Sequence, residues 1–313
     1  MHQLSQLEYF GRALVDIGMH HEDLVVLDTD VSASTKTAYF AERFPERFIN
    51  VGISEQDMVG VAAGLAASGK TPVACGFAMF VAGRAWEQIT NSVARPNLNV
   101  KIVATHSGLS PFADGDSHQS FGDIAMMRVL PNMKVVVPAD ALEAAEALKA
   151  IVQSEGPAYL RLGRGATTAV YQEAPDLTLG KASLLRDGSD VTVIACGVTI
   201  SMAIRAAAVL EGEGVDVSVI DMHTIKPIDS ECLIDAANET GAIVTAEEHS
   251  VLGGLGSAVS EILSQNAPTP IQMVGIRDRF GESSRDYWSL LAKHGLTADE
   301  IIKAVHKVVD MKG

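Results

Sequence analysis

Seven ionisable side chains fall at or just after short apolar runs in the first 120 residues: Asp28, Asp30, Glu55, His106, Asp114, Asp116 and His118. They sit in the phrases LDTDVSAST, VGISEQ and THSGLSPFADGDSHQ. Carboxylates and imidazoles gathered at one mouth suit proton transfer at a bound small molecule. Glu55 admits two readings. With Ser54 as a helix cap, the glutamate complements the helix dipole from a solvated first turn. Alternatively, it lies between two domains and moves a proton in activating a cofactor. His106 and His118 with an aspartate also make a candidate zinc set, or simply structure their loop. Phe77 and Phe80, close to Gly76, fit either an ordinary core or an aromatic wall around a planar heterocycle.

The elements that must position these groups are legible as alternating apolar runs and helical segments. Strands are expected at 24–28, 47–51, 71–75, 100–105, 134–138 and 159–163, with helices near 54–67, 83–94, 119–129 and 140–153. A second unit offers strands at 191–197, 217–222 and 242–248, then IQMVGI. Its helices are expected near 200–211, from about Leu255, and near 297–309. Near-continuous apolar strands predict parallel sheets covered by helices on both faces, so the fold class is α/β with two three-layer domains. The expected division is a first domain over 1–165, a polar connection over 166–179 and a second domain over 180–313. GGLG at 253–256 lacks the GxGxxG pattern, and no Walker motif occurs, so no dinucleotide or P-loop site is indicated.

Composition narrows the partners. The formal charge of -15 opposes attraction to nucleic acid or an anionic membrane, yet permits a local basic pocket for a small anion. Cys75, Cys196 and Cys232 form no CxxC pair and no secretory pattern, which suits a reducing compartment. The stretch MHQLSQLEYFGRAL reads as an amphipathic helix rather than a signal peptide, and a cytoplasmic location is expected.

In order along the chain, VGISEQDMVGVAAGLA, CGFAMFVAGRAWEQI, THSGLSPFADGDSHQ, VVVPAD and AYLRLGRG resemble the thiamine-diphosphate-dependent transketolase family. The resemblance covers essentially the whole chain, as a pyrimidine-binding domain followed by the family's smaller C-terminal domain. It implies that Glu55 contacts the cofactor's aminopyrimidine at N1' and supports removal of the thiazolium proton. A two-carbon ketol unit then passes from a ketose to an aldose. By the same resemblance, Phe77 and Phe80 surround the pyrimidine and Asp30 lies near the cofactor. His106 and His118 contact the donor near its reacting oxygens, and Asp114 orients a substrate hydroxyl. Arg164, and less directly Arg161, face a sugar phosphate's distal end. Pro111 and Phe112 replace small residues of the family phrase, and Asp116 adds an acid, so an unusual or otherwise anionic ketose is open.

A complete transketolase also needs a diphosphate and magnesium cradle marked by GDG, and this sequence has none; ADGDSH belongs to the substrate phrase. The resemblance therefore implies a partner chain that holds the diphosphate and Mg2+, in an α2β2 assembly. Two alternatives share the plan: the beta subunit of a thiamine-dependent 2-oxoacid dehydrogenase, and a non-catalytic regulatory half. The THSG…DG…HQ phrase favours sugar-carbon transfer over the first. Asp221, His223, Glu247, Glu248 and His249 in the second unit are expected to be structural or interface groups.

Overall fold

The computed structural model of the chain describes residues 3–312. Leu24–Asp28, Thr71–Phe77 and Lys101–Thr105 are almost wholly buried apolar runs of the kind that fills the middle of a parallel sheet. They lie in a seven-stranded sheet ordered Thr224–Lys226, Lys134–Val136, Ala158–Arg161, Lys101–Thr105, Thr71–Phe77, Leu24–Asp28 and Phe48–Asn50. Six of these strands run parallel; Thr224–Lys226 joins antiparallel. The second sheet is ordered Ile271–Ile276, Ile243–Ser250, Val191–Ala195, Val217–Asp221 and Ser183–Arg186, the last antiparallel.

Helices cover both faces of the first sheet. Gln6–His20 and Ala141–Gln153 bury Phe10, Leu14, Leu148 and Ile151 on one side. Glu55–Ala67 and the segments after Thr71–Phe77 bury Met58, Val81 and Ile89 on the other. That second core continues without a break into Ile220, Leu233 and Val259 of the second domain. The two domains therefore share apolar filling as well as a strand.

Several expectations need revision. Ser54 occupies the N-cap position but its side chain makes no capping hydrogen bond, and Glu55 is buried rather than solvated. The expected helix at 83–94 starts earlier, at Ala78–Arg84, breaks at Ala85, and ends as a π-helical turn over Ile89–Ala94. The one expected near 119–129 is confined to Asp123–Arg128, because Gln119 and Ser120 are drawn into hydrogen bonds with Glu282 and Gly108. The N-terminal helix starts at Gln6, capped by the Ser5 hydroxyl, after a short strand Gln3–Ser5; Met1 and His2 lie outside the described residues.

The first half of the connection between domains is docked. Ala166–Thr168 pairs with Gln3–Ser5, while Asp140 accepts the Val170 and Tyr171 amides at 2.7 and 2.9 Å. The strand Thr224–Lys226 and the helices Ser230–Thr240 and Tyr287–Lys293 were not anticipated.

Candidate functional site

The strand order explains how distant residues meet. In a parallel sheet every strand opens its following loop on the same edge, where open α/β folds receive ligands. Across neighbouring strands, those loops carry Arg164, His106 to His118, Phe77 to Phe80, Asp30 and Glu55 in turn. The pairings Ala104 with Arg161, Phe77 with Thr105 and Asp28 with Asn50 hold the strand ends level. Buried Asp28 shapes the first loop by accepting the Val31 amide and the Thr35 and Thr37 hydroxyls. Asp30, left-handed at φ 65° and exposed, accepts from the Asn50 amide at 2.9 Å.

A continuous run of contacts crosses this edge. The Glu55 carboxylate receives Arg84 at 3.1 Å through Oε2, and Oε1 has no hydrogen-bond partner among the described residues. Arg84 in turn covers the Phe80 ring at 4.5 Å. Phe80 meets His118 edge-on, with centroids 5.1 Å apart, and lies 6.3 Å from Phe77. Phe77 lies against His106 with centroids 4.0 Å apart and the rings tilted by 33°. Both phenylalanines are only partly buried, so the aromatic surface faces outward rather than filling the core. Arg84 escaped the sequence reading; its place four residues after Phe80 on one helix was the available signal.

Beyond His106 lies an ion pair, Arg164 Nη1 to Asp114 Oδ2 at 2.5 Å, with both side chains about one-third exposed (38% and 33%). His106 is buried, and burial first, then the Arg164 charge, pushes its imidazole down to about 4. It is a neutral ring at physiological pH, held at Nδ1 by the Thr105 hydroxyl at 3.0 Å. His118 is held by Ser117 at 3.1 Å. Pro111 is buried and Phe112 packs on the second domain's core. The phenyl group is therefore part of the loop's footing.

Arg161 requires a correction. Its side chain is 3% exposed and donates to Asp123 at 2.8 Å and to the backbone oxygens of Ser120 and Glu248 at 3.0 Å each. Burial would raise the Asp123 carboxyl, but the Arg161 charge outweighs it and holds it below the usual range. Buried, with Nε and Nη2 committed inside the protein, Arg161 stands behind the open edge rather than on it, which departs from the expected contact with a sugar phosphate. Of the second-domain groups, Asp221, His223, Glu247, Glu248 and His249 are all buried. Glu247 accepts the Leu255 and Gly256 amides at a helix start, and Asp221 accepts from the Tyr171 hydroxyl.

The residues present fit one end of thiamine diphosphate. A buried carboxylate with one free oxygen beside two outward-facing phenyl rings suits an aminopyrimidine. The other end finds no such match: among the described residues no group of three His, Cys, Asp or Glu side chains is arranged to hold a metal ion. The zinc reading of His106 and His118 has no third ligand there.

Two family signatures match the chain: "Transketolase, pyrimidine binding domain" over residues 2–169 and "Transketolase, C-terminal domain" over residues 180–301. A solved structure described as a split gene transketolase, inactive beta4 tetramer, superposes with a TM-score of 0.92 at 49% identity, covering 100% of both chains. A putative transketolase C-terminal section from Methanocaldococcus jannaschii is 44% identical over 299 residues, 95% of this chain and 93% of that protein. The 6-deoxy-6-sulfo-D-fructose transketolase subunit SqwH of a Clostridium species is 43% identical over 300 residues, 96% of this chain and 92% of that protein.

Proposed function

The chain belongs to the transketolase family, and from that premise we propose that it is the ketol-transferring half of a two-chain enzyme that moves a two-carbon unit from an anionic ketose to an aldose. The observation that carries this reading is the unbroken run Glu55, Arg84, Phe80, His118, Phe77 and His106 along the open edge of the sheet.

When bound, thiamine diphosphate supplies the carbon nucleophile and the electron sink that no side chain of the protein provides. Glu55, through its free Oε1, holds and exchanges a proton at the pyrimidine ring nitrogen. Phe77 and Phe80 flank that ring and keep water from it, and Asp30 faces the cofactor from the neighbouring loop. His106, neutral because it is buried, hydrogen-bonds the donor's reacting oxygens without adding charge, and His118, whose ring lies 6.3 Å from that of Phe77, contacts the donor as well. Asp114 orients a substrate hydroxyl. Arg164 keeps N–H donors free beyond its Asp114 pair for the ketose's anionic tail. A relative acting on 6-deoxy-6-sulfo-D-fructose supports sulfonate as well as phosphate tails.

The partner chain holds the diphosphate and Mg2+, in an α2β2 assembly. Two findings support this division. The relative solved as a beta4 tetramer is described as inactive, and Ile53, two residues from Glu55, is 76% exposed, as a side chain covered on assembly would be. Its three free thiols are consistent with a cytoplasmic enzyme.

Mixing the chain with its candidate partner, thiamine diphosphate and Mg2+ is expected to produce ketol transfer that neither chain shows alone. Full activity from this chain by itself overturns the division of labour. Oxidative decarboxylation of a 2-oxoacid with no ketol transfer overturns the reaction class.

A further inference from the structure

The second domain supplies none of the proposed contact residues, yet it grips the loop that carries His106, Asp114 and His118 at both ends. At the near end, Glu248 Oε1 accepts the Leu109 amide at 2.7 Å across 139 residues of sequence. Gly108 lies so close beneath that carboxylate that an added Cβ would sit 2.4 Å from its carboxyl carbon. At the far end, the Gln119 amide pairs with the Glu282 backbone in both directions, at 2.8 and 3.0 Å. Between them Gly108 and Ser120 exchange backbone hydrogen bonds at 2.7 and 3.0 Å, closing the loop's neck.

Such grips have a physical purpose here. His106 stands at φ 56° and Gly108 at φ 60°. A histidine takes the left-handed region only where its surroundings impose it. The first hook falls three residues after His106, and the second falls on the residue after His118. Both imidazoles are thus held from outside their own domain. Glu248 is buried, with Tyr287 and Arg161 facing it, and burial pushes its carboxyl up to about 7, so its oxygen is an acceptor in either protonation state.

We propose that Glu248 is a positioning residue: by accepting the Leu109 N–H, it fixes the loop neck, and with it His106, in the geometry used for sugar binding. This rests on the reading of that loop as the substrate loop, and the test separates the two. Hydrogen–deuterium exchange of the 106–120 peptide in the full chain reads the hook without catalysis. Glu248→Ala is expected to speed that exchange about tenfold, the scale of one lost buried hydrogen bond. In the assembled complex it lowers kcat/KM for the sugar by about the same factor while cofactor Kd stays within about twofold. Glu248→Gln, which retains a carbonyl oxygen, restores most of both. Gly108→Ala, which crowds the carboxylate and puts a side chain at φ 60°, is expected to lose at least as much, and adding Glu248→Ala to it should cause little further loss because the hook is already gone.

Wild-type exchange and kcat/KM in a folded Glu248→Ala chain overturn the proposal. So does damage in Glu248→Gln equal to that in Glu248→Ala. If Glu248→Ala does not fold, Glu248→Asp decides, because the shorter carboxylate draws back from the Leu109 N–H: wild-type exchange at 106–120 overturns the hook, and faster exchange supports it. A wild-type complex without ketol transfer sinks the functional reading, while the exchange result still decides the hook.

Discussion

Two arginines three residues apart divide the molecule's charged groups into two kinds. Arg161 lies behind the sheet's open edge, 3% exposed, with Nε and Nη2 committed to Asp123, Ser120 and Glu248. Arg164 lies on the edge itself, 38% exposed, with one ion pair and donors to spare. The same contrast separates the domains. Glu55, His106, His118 and Asp114 surround an accessible aromatic surface, whereas Asp221, Glu247 and Glu248 are buried among partners they hold in place. Residue type does not distinguish a group that meets a ligand from one that braces the fold. What distinguishes them is whether hydrogen-bonding capacity remains unfilled at an accessible surface.

The largest consequence concerns Glu55. Its replacement by alanine in the assembled complex is expected to cut ketol transfer about 10²–10⁴-fold, the range of a lost acid-base group. Hydrogen exchange at the cofactor's thiazolium carbon, followed by NMR, should fall in step. Activity within a few-fold of wild type would place Glu55 with the bracing groups.

Arg161 should behave in the opposite manner. Arg161→Ala leaves the buried Asp123 carboxylate without its cation, which is expected to remove about 3–5 kcal/mol of stability in urea titrations. Arg164→Ala should change stability by less than about 0.5 kcal/mol, as surface pairs do. Equal losses would erase the contrast between them.

Arg164 is expected to show itself in specificity. Losing a charge-assisted hydrogen bond to a phosphate or sulfonate is worth about 1.5–3 kcal/mol, or roughly 10–100-fold in kcat/KM. That loss should appear for anionic ketoses and be nearly absent for ketoses without a charged tail. Matched losses for both classes would make Arg164 a brace for the loop.

The smallest effect is a pH dependence. His106 and His223, lowered to about 4 by burial, are neutral in the fold and protonate in the unfolded chain below 6.5. Their contribution is present above that value and is lost as pH falls toward 4. Asp221 and Glu248, raised to about 7 by burial, act with the opposite sign. Their contribution is complete at low pH and is lost as pH rises through 7. Glu143, Glu247 and Asp28 are also raised by burial and His294 is lowered by it, so the descending side outweighs the ascending one and wild-type stability should fall as pH rises across this window. Asp221→Asn removes one descending slope, so its stability should fall with pH less steeply than wild type, by up to about 1.4 kcal/mol per unit. Equal slopes in urea titrations would remove burial as the cause.

Much of the first domain was readable because long apolar runs and loops of unusual polarity are local features. LVVLD, the helix after Ser54 and the loop THSGLSPFADGDSHQ all stand where their patterns place them. The failures share a cause. Arg161 and Arg164 both stand in YLRLGRG, and only the sheet turns one inward and the other toward the mouth. The strand Thr224–Lys226 is three residues long and forms because Lys134–Val136 offers it an edge. Arg84 gained meaning only when Glu55 was found opposite it.

Amino-acid order alone was enough for the family, the two α/β units and the supply of acid, base and aromatic side chains, because periodicity and motif live in neighbouring residues. The fold decided which of those side chains remain unsatisfied at an open edge. It also decided that Glu248 and Glu282, from the second domain, would hold the loop of the first. Burial and hydrogen-bond partnership are set by residues from 29 positions away, as for Glu55 and Arg84, to 163 away, as for Gln119 and Glu282, and no local pattern encodes them.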